Sequence, residues 1–230
     1  MKIAGPRTVS LRWQKVYRII PTKFPPIDFF ECLVAPEQME AAWYLESLTN
    51  DRLRDATGDI TLVSSDDRLS GPGASVVMAA FTHIGNPSRF SDGGYGVYYA
   101  ARSLETAVRE TSFHRARFLA ATGEAPGEIG MRAYVGKPKE PLKDLRVPRF
   151  KHLHDPNDYS KSQAFGKAHR DQGDWGFVYR SVRHEGGECI AAFRPRAVSI
   201  PVAGPALAYV WDGKRIARVY EKSDVLFELT

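Results

Sequence analysis

The sequence is poor in the features that mark secreted, disulfide-bonded and membrane-spanning proteins. Its 230 residues include two cysteines, Cys32 and Cys189, which are too few and too far apart for a disulfide framework or a thiolate metal cluster. The longest mostly apolar stretch, 74–81, is far shorter than the roughly 18 residues that a membrane span needs. The first residues, MKIAGPRTVSLRW, lack the apolar stretch of a signal peptide. We therefore expect a protein of the reducing cytoplasm that does not enter a membrane.

The chain also lacks a concentrated basic run, although it is basic overall. Its formal net charge is +5 and its isoelectric point is about 9.2, which favours an anionic partner such as a nucleotide, a nucleic acid or an acidic protein. The lysines and arginines are dispersed, and acidic residues interrupt them in stretches such as RSVRHEGGE. The net charge does not choose among these partners.

Low-complexity tracts and internal repeats are absent as well. Apolar residues make up 43% of the chain and charged residues 26%, as in an ordinary globular protein. The length lies at the upper end of the range for one domain, which is roughly 100–200 residues. We predict a single domain over 1–230 with a helical N-terminal elaboration at about 36–82.

Hydrophobic periodicity and turn residues predict strands and helices that alternate irregularly. Helices are predicted from Pro36 to about Ala56, after the SGPG turn at 70–73, from Ser103 to about Ala121, and at 160–171. Strands are predicted at 14–20, 97–101, 129–135, 176–183 and 188–193, followed by a C-terminal hairpin in which Asp212-Gly213 suits a two-residue type I′ turn. Without a regular βαβ alternation, the expected class is α+β, with a mixed β-sheet core and flanking helices.

The helix that follows Ser103 carries an acidic residue at a revealing position. At 100° per residue, Glu110 falls on the flank of the apolar stripe, where it can face a cleft. The residues predicted to form that stripe are Leu104, Val108, Thr111, Phe118 and Leu119.

The segment 88–114, SRFSDGGYGVYYAARSLETAVRETSFH, combines several chemically useful residues. Arg89 and Phe90 open a glycine-rich turn, Tyr99 follows in a strand, and Glu110 lies in the next helix. Farther on, Ser181 stands near the end of a predicted strand in GFVYRSVRHEGG. This order and spacing resemble the RES-domain family, which is named for its arginine, glutamate and serine.

The resemblance covers roughly residues 14–195, and Arg18 in the first strand is a further family-like feature. The chain departs from the family in two places. Phe193-Arg194-Pro195 stands where the family often has Asn-Pro after the serine strand, and the insertion at about 36–82 is longer than in compact members.

The resemblance implies a fold similar to that of ADP-ribosyltransferases, with NAD as a consumed substrate and no metal. It also implies service as the toxin of a toxin–antitoxin pair, with a DNA-binding antitoxin that covers the active site. Activities in the family include NAD hydrolysis or phosphorolysis and ADP-ribosylation of a protein, for example an enzyme of phosphoribosyl pyrophosphate synthesis. Whether the acceptor is a protein, water or phosphate stays open at the level of sequence.

The residue types suit cleavage of the nicotinamide–ribose bond. Positive charge builds on the sugar as this bond breaks, so the Glu110 carboxylate can stabilise it or hold the ribose hydroxyls. Arg89 offers a planar cation for the pyrophosphate, and Arg18 is a further candidate for binding NAD. Tyr99 and Phe90 can stack on the cationic nicotinamide ring. Ser181 can orient Glu110 or a ribose hydroxyl by hydrogen bonding.

Structural roles compete with these assignments. Tyr98 faces the opposite side of the strand from Tyr99 and is the alternative aromatic residue, while Arg18 could simply form a salt bridge. The run HLHDPND at 152–158 contains groups that can bind zinc, but a proline-containing polar loop is the preferred interpretation because a further ligand is missing at a recognisable spacing.

Two other functions fit the residues less well. A basic nucleic-acid-binding module would need clustered basic residues with interleaved aromatic rings, which the sequence does not show, so direct nucleic-acid binding is not expected. A glycosidase would need a second carboxylate near Glu110, and no second acid stands out there apart from Glu105 and Asp92.

Overall fold

The computed structural model describes residues 5–24, 27–31, 35–47 and 56–222, and within them one nine-stranded mixed sheet forms the centre of the molecule. The strands lie in the order β1-β5-β6-β7-β3-β2-β4-β8-β9. Each neighbouring pair is antiparallel except β5 and β6, which are parallel. The strand bounds are Thr8–Val9, Val16–Pro21, Tyr98–Ala101, Gly127–Gly136, Leu142–Asp144, Gly176–Arg180, Glu188–Ala192, Val202–Trp211 and Ile216–Glu221, for β1 to β9 in that order.

Helices flank this sheet, which confirms the α+β class. They are α1 (Asp28–Glu31), α2 (Met39–Ser47), α3 (Ala74–Thr82), α4 (Leu104–Thr122) and α5 (Ser160–Asp171). Short 3₁₀ turns occur at Ile60–Leu62, Ser65–Asp67, Pro148–Leu153 and Pro195–Ala197. Within the described ranges, no helix is both long enough and apolar enough to cross a membrane.

The sheet separates two hydrophobic cores because alternate side chains of a strand point to opposite faces. In β3, Tyr98 and Ala100 join the core that contains α1, α2 and α3. Ala101, with the partly buried Tyr99, joins the core beneath α4, and this second core also contains Phe90. Helices α1, α2 and α3 therefore cover one face of the sheet, and α4 and α5 cover the opposite face.

The termini of α4 follow directly from its sequence. The Ser103 side chain accepts a hydrogen bond from the backbone N–H of Thr106, and Gly123 ends the helix at a φ of +66°. The predicted stripe is wrong at Phe118, which is 47% exposed, whereas the next residue, Leu119, is buried as predicted.

Two local predictions are wrong for identifiable reasons. The C-terminal hairpin does not have a two-residue type I′ turn, which requires positive φ at both central residues, because among the described residues only glycines have positive φ. Instead, the Asp212 carboxylate accepts hydrogen bonds from the N–H groups of Lys214 and Arg215, and this widens the loop to 212–215. The strand predicted at 176–183 ends at Arg180, so Ser181 lies in the following turn.

The predicted helix from Pro36 begins later, since 36–38 form a turn and α2 starts at Met39. The part of that prediction over 48–55 lies outside the described residues, as does Cys32.

Candidate active site

A cavity of about 430 Å³ lies between α4 and the face of the sheet that this helix covers. Strands β2, β3, β6 and β7 provide its floor, α4 forms one wall, and the segments around Arg89 and Tyr159 form the other. The volume falls within the range of about 300–1,000 Å³ that is usual for small-molecule sites. Four of the residues singled out from the sequence line it, namely Arg18, Arg89, Tyr99 and Glu110.

Glu110 is held at the cavity by Ser181. The Ser181 hydroxyl donates a hydrogen bond of 2.5 Å to Oε1 of Glu110. Its oxygen accepts the backbone N–H groups of Arg183 and His184, at 3.1 and 3.0 Å, so its own hydrogen is directed to the carboxylate. The second carboxylate oxygen, Oε2, makes no hydrogen bond to the described residues and is available to a ligand. Ser181 itself does not line the cavity and acts as a positioning residue.

Arg89 is buried and held on one side only. Its Nη1 donates to the carbonyl oxygens of Leu153 and Asp155, at 3.3 and 2.9 Å, and its guanidinium lies 4.6 Å from the ring centre of Tyr159. Nε and Nη2 have no hydrogen-bond partner within the described ranges. These two N–H groups form the side of the guanidinium that binds an anion in bidentate fashion.

The loop that carries Arg89 is fixed by Tyr99. The Tyr99 hydroxyl accepts a hydrogen bond from the backbone N–H of Phe90 at 3.0 Å and is hydrogen-bonded to the Ser88 hydroxyl at 2.9 Å. Burial raises the pKa of Tyr99 to about 12, against the effect of these hydrogen bonds, so the phenol stays protonated at neutral pH. Tyr99 thus presents its ring to the cavity while its hydroxyl holds the loop.

Tyr98, the competing aromatic residue, lies in the opposite core and is 0% exposed. Its ring packs against the guanidinium of Arg18 at 4.7 Å. Arg18 also donates from Nη1 to the carbonyl oxygen of Tyr99 at 3.3 Å. Desolvation lowers the pKa of Arg18, while the neighbouring Tyr98 raises it. Arg18 makes none of the salt bridges found among the described residues. Its neighbours Tyr17 and Ile19 face the core beneath α4, so strand alternation and the contact with Tyr98 direct the Arg18 guanidinium to the opposite face of the sheet, against the expectation that it binds NAD in this cavity.

Phe90 does not reach the cavity, which corrects the expectation that it stacks on nicotinamide. The residue is 0% exposed, and its ring makes edge contacts with Phe177 and Tyr179 at 4.9 and 5.1 Å. A Cβ atom at Gly166 of α5 would lie 2.3 Å from the Phe90 carbonyl oxygen, so only glycine permits this approach of α5 to the loop. Phe90 anchors the loop through the core.

Several residues that line the cavity were not predicted from the sequence, because they lie in segments that are far apart in the chain. They are Tyr17 of β2, Tyr159 before α5, Tyr179 of β6, and His114 and Arg117 of α4. A signal existed only for His114 and Arg117, which follow Glu110 at helical spacing and so share its face. The lining contains three arginines and one carboxylate, an arrangement that favours an anionic ligand and supplies no second acid for a glycosidase pair.

The polar run 152–158 has a structural task. Its backbone carbonyls at Leu153 and Asp155 receive Arg89, and the Asp155 carboxylate accepts the N–H groups of Asn157 and Asp158. His154 donates from Nδ1 to Phe150 and accepts the N–H of Arg180 at Nε2. Over the described ranges, no three His, Cys, Asp or Glu side chains are grouped so that they could hold a metal ion.

The chain was compared with known proteins, and one of these comparisons agrees with the resemblance noted in the sequence. The chain is 29% identical, over 210 residues, to the uncharacterized protein y4oC of Sinorhizobium fredii, and the match covers 90% of this chain and 87% of that protein. A chain in the crystal structure of the M. tuberculosis MbcT–MbcA toxin–antitoxin complex is 12% identical, with a TM-score of 0.40 over 91% of this chain and 87% of that one. The model of the RES domain matches residues 67–212. Since that match spans more than half of the chain, the protein belongs to the RES-domain family.

Proposed function

We propose that the protein cleaves the nicotinamide–ribose bond of NAD. The observation that carries this proposal is the pairing of Glu110 with Ser181 beside a cavity lined by arginines and tyrosines. An NAD molecule needs cations for its pyrophosphate, aromatic faces for its rings and a carboxylate near the anomeric carbon, and the lining offers each of them.

Binding is assigned to the cationic and aromatic residues. The free Nε and Nη2 edge of Arg89 takes the pyrophosphate in bidentate fashion. The ring of Tyr99 lies against the cationic nicotinamide. The cation–π contact with Tyr159 keeps the guanidinium of Arg89 in place while the ligand enters.

Bond breaking is assigned to Glu110. When the bond between the anomeric carbon C1′ and the nicotinamide nitrogen breaks, its electron pair neutralises the pyridinium and leaves positive charge on the ribose. The Glu110 carboxylate, held in one orientation by Ser181, stabilises that charge with its free oxygen. The ADP-ribosyl group then passes to a protein target or to water or phosphate. A protein target known in the family is an enzyme of phosphoribosyl pyrophosphate synthesis.

A product assay tests this reaction. The purified protein is incubated with NAD alone, with phosphate, and with a cell lysate, and the products are resolved by mass. We expect nicotinamide release, with ADP-ribose, phosphorylated ADP-ribose or a modified protein identifying the acceptor. Glu124→Gln is the control for Glu110→Gln, because Glu124 is exposed just beyond the end of α4. Folded wild-type protein that releases no nicotinamide in any arm would refute the proposal.

The biological role follows from the same site. Depletion of NAD or modification of a target would make the protein the toxin of a toxin–antitoxin pair, restrained by a DNA-binding antitoxin that covers the cavity. Expression without the antitoxin should arrest bacterial growth, and Glu110→Gln should relieve the arrest while Glu124→Gln should not. Equal toxicity of wild type and Glu110→Gln at matched protein levels would separate the phenotype from the site. Filter binding across a salt series tests the alternative function of nucleic-acid binding. Binding driven by phosphate contacts should weaken steeply as the salt concentration rises.

A further inference from the structure

One histidine differs from all others in this chain. All six histidines lie within the described ranges, and five have a ring nitrogen hydrogen-bonded to protein. The partners are the Ala79 carbonyl for His83, the Arg149 carbonyl for His152, the Phe150 carbonyl for His154, the Asp174 carboxylate for His169 and the Thr106 hydroxyl for His184. His114 has no such partner among the described residues; its ring only contacts the ring of Phe113, with the centres 5.4 Å apart.

His114 is also the one histidine that lines the cavity. It follows Glu110 by four residues on α4, so both side chains lie on the same face of the helix, about 6 Å apart along its axis. His114 is exposed to solvent, whereas Glu110 lies deeper. A small nucleophile that reaches C1′ beside Glu110 from the solvent side would therefore pass His114.

We propose that His114 is the base that takes the proton from the acceptor hydroxyl as it attacks C1′. This inference rests on the proposed function. After nicotinamide leaves with the electron pair of the broken bond, the acceptor oxygen forms a bond to C1′, and its proton moves to a free ring nitrogen of His114. The proton then passes to solvent, to which the ring is exposed.

The charges around the ring agree with this role. Partial desolvation of the ring lowers the pKa of His114, and the Glu110 carboxylate raises it. Three arginines lower the pKa further: Arg183 from the turn after β6, Arg89 from the loop before β3, and Arg117 from α4 itself. At neutral pH the imidazole is therefore neutral, which is the form that can accept a proton.

The test separates capture of the ribosyl cation from its formation. NAD is incubated with labelled nicotinamide in phosphate-free buffer, and labelled NAD and ADP-ribose are measured together. Return of nicotinamide to C1′ requires no proton removal, whereas attack by water does. In His114→Gln we expect the ratio of ADP-ribose to labelled NAD to fall by about 10²-fold. His152→Gln, which changes an exposed histidine outside the cavity, should leave the ratio unchanged.

The pH profile supplies a readout that a purely structural role would not move. In the wild type the ratio should fall as the pH drops through the lowered pKa of His114, and in His114→Gln it should be independent of pH. Added imidazole should restore hydrolysis to His114→Ala. An unchanged ratio in a His114→Gln variant that still cleaves NAD would overturn this inference alone. Loss of NAD affinity with an unchanged ratio would make His114 a binding residue and overturn it too. Absence of cleavage in the wild type would overturn the proposed function as well.

Discussion

Ser181 and Glu110 come from segments 71 residues apart in the chain, and the Ser181 hydroxyl donates to the Glu110 carboxylate at 2.5 Å. Because two backbone N–H groups already donate to the same hydroxyl oxygen, the geometry leaves one direction for the hydroxyl hydrogen. The Ser181 hydroxyl therefore does two things: it stabilises the turn that contains Arg183 and His184, and it fixes the orientation of the Glu110 carboxylate.

Ser181→Ala should lower kcat for nicotinamide release about tenfold or more, with KM within a few-fold, because hydrogen bonds to charged groups contribute about 1.5–3 kcal/mol. The two unpaired N–H groups should also lower the free energy of unfolding. Ser181→Thr keeps the hydroxyl and should recover part of the rate. Steady-state kinetics and a thermal melt measure both effects; full turnover by the alanine variant would show that Glu110 does not depend on Ser181.

Arg89→Lys should weaken NAD binding although the charge is kept. Lysine cannot replace the bidentate Nε and Nη2 edge, and the loss of one charge-assisted hydrogen bond corresponds to about 1.5–3 kcal/mol, or about 10- to 150-fold in Kd. Calorimetric titration measures the change. Arg149→Lys, an exposed arginine on the 3₁₀ turn Pro148–Leu153, is the matched control. Unchanged affinity in folded Arg89→Lys would remove Arg89 from the pyrophosphate site.

The adjacent tyrosines of β3 should respond oppositely to the loss of one oxygen. Tyr99→Phe leaves the N–H of Phe90 without its partner and should lower the free energy of unfolding by about 1–3 kcal/mol. Tyr98→Phe removes a buried hydroxyl that has no hydrogen-bond partner within the described residues, so stability should stay the same or increase. Chemical denaturation of both variants is the measurement. A marked loss of stability in Tyr98→Phe would mean that its hydroxyl has a partner, such as a buried water.

Gly166→Ala should destabilise the protein, although this exchange normally favours a helix by up to about 1 kcal/mol. The added Cβ would meet the Phe90 carbonyl oxygen at 2.3 Å, so α5 and the loop with Arg89 must separate. Both the melting temperature and NAD affinity should fall. Gly127→Ala is the control, because its nearest neighbour would be 3.9 Å away. An equally stable Gly166→Ala variant would contradict the packing of α5 on this loop.

Much of the fold could be predicted because local signals and tertiary packing agree. Ser103 and Gly123 mark both ends of α4, and α5 has its predicted bounds. Strands β1 and β5 were missed, since each has only two or three residues and is formed by pairing rather than by periodicity. The four-residue loop 212–215 was missed because hydrogen bonds from the backbone to the Asp212 side chain set its shape, and not the two-residue turn that Asp-Gly favours.

The family resemblance predicted which residues would meet at one cavity, because it rests on their order along the chain. Glu110, Arg89 and Tyr99 lie at the cavity as family spacing suggested, and strand alternation separates Tyr99 from Tyr98. Phe90 was misassigned because its position beside Arg89 does not show which way its ring turns. The sequence around Tyr159 and Tyr179 has no motif that indicates a binding site, so their position at the cavity is visible only in the folded chain.

Glu110→Gln separates binding from chemistry. Glutamine keeps the side-chain length, one acceptor oxygen and a similar helix propensity, so α4 and the ground-state contacts of NAD should survive. Only the negative charge that stabilises the developing ribosyl cation is lost. Removing one such preorganised group typically lowers kcat by about 10²–10³, equivalent to roughly 2.7–4 kcal/mol.

The most direct test is single-turnover nicotinamide release by Glu110→Gln, measured beside NAD affinity and a circular-dichroism melt, with Glu124→Gln as the control. We expect a folded variant that binds NAD within a few-fold of wild type and cleaves it about 10²–10³ times more slowly. A variant that binds poorly but cleaves normally at saturation would make Glu110 a binding residue. One that binds and cleaves like the wild type would contradict the active site placed here.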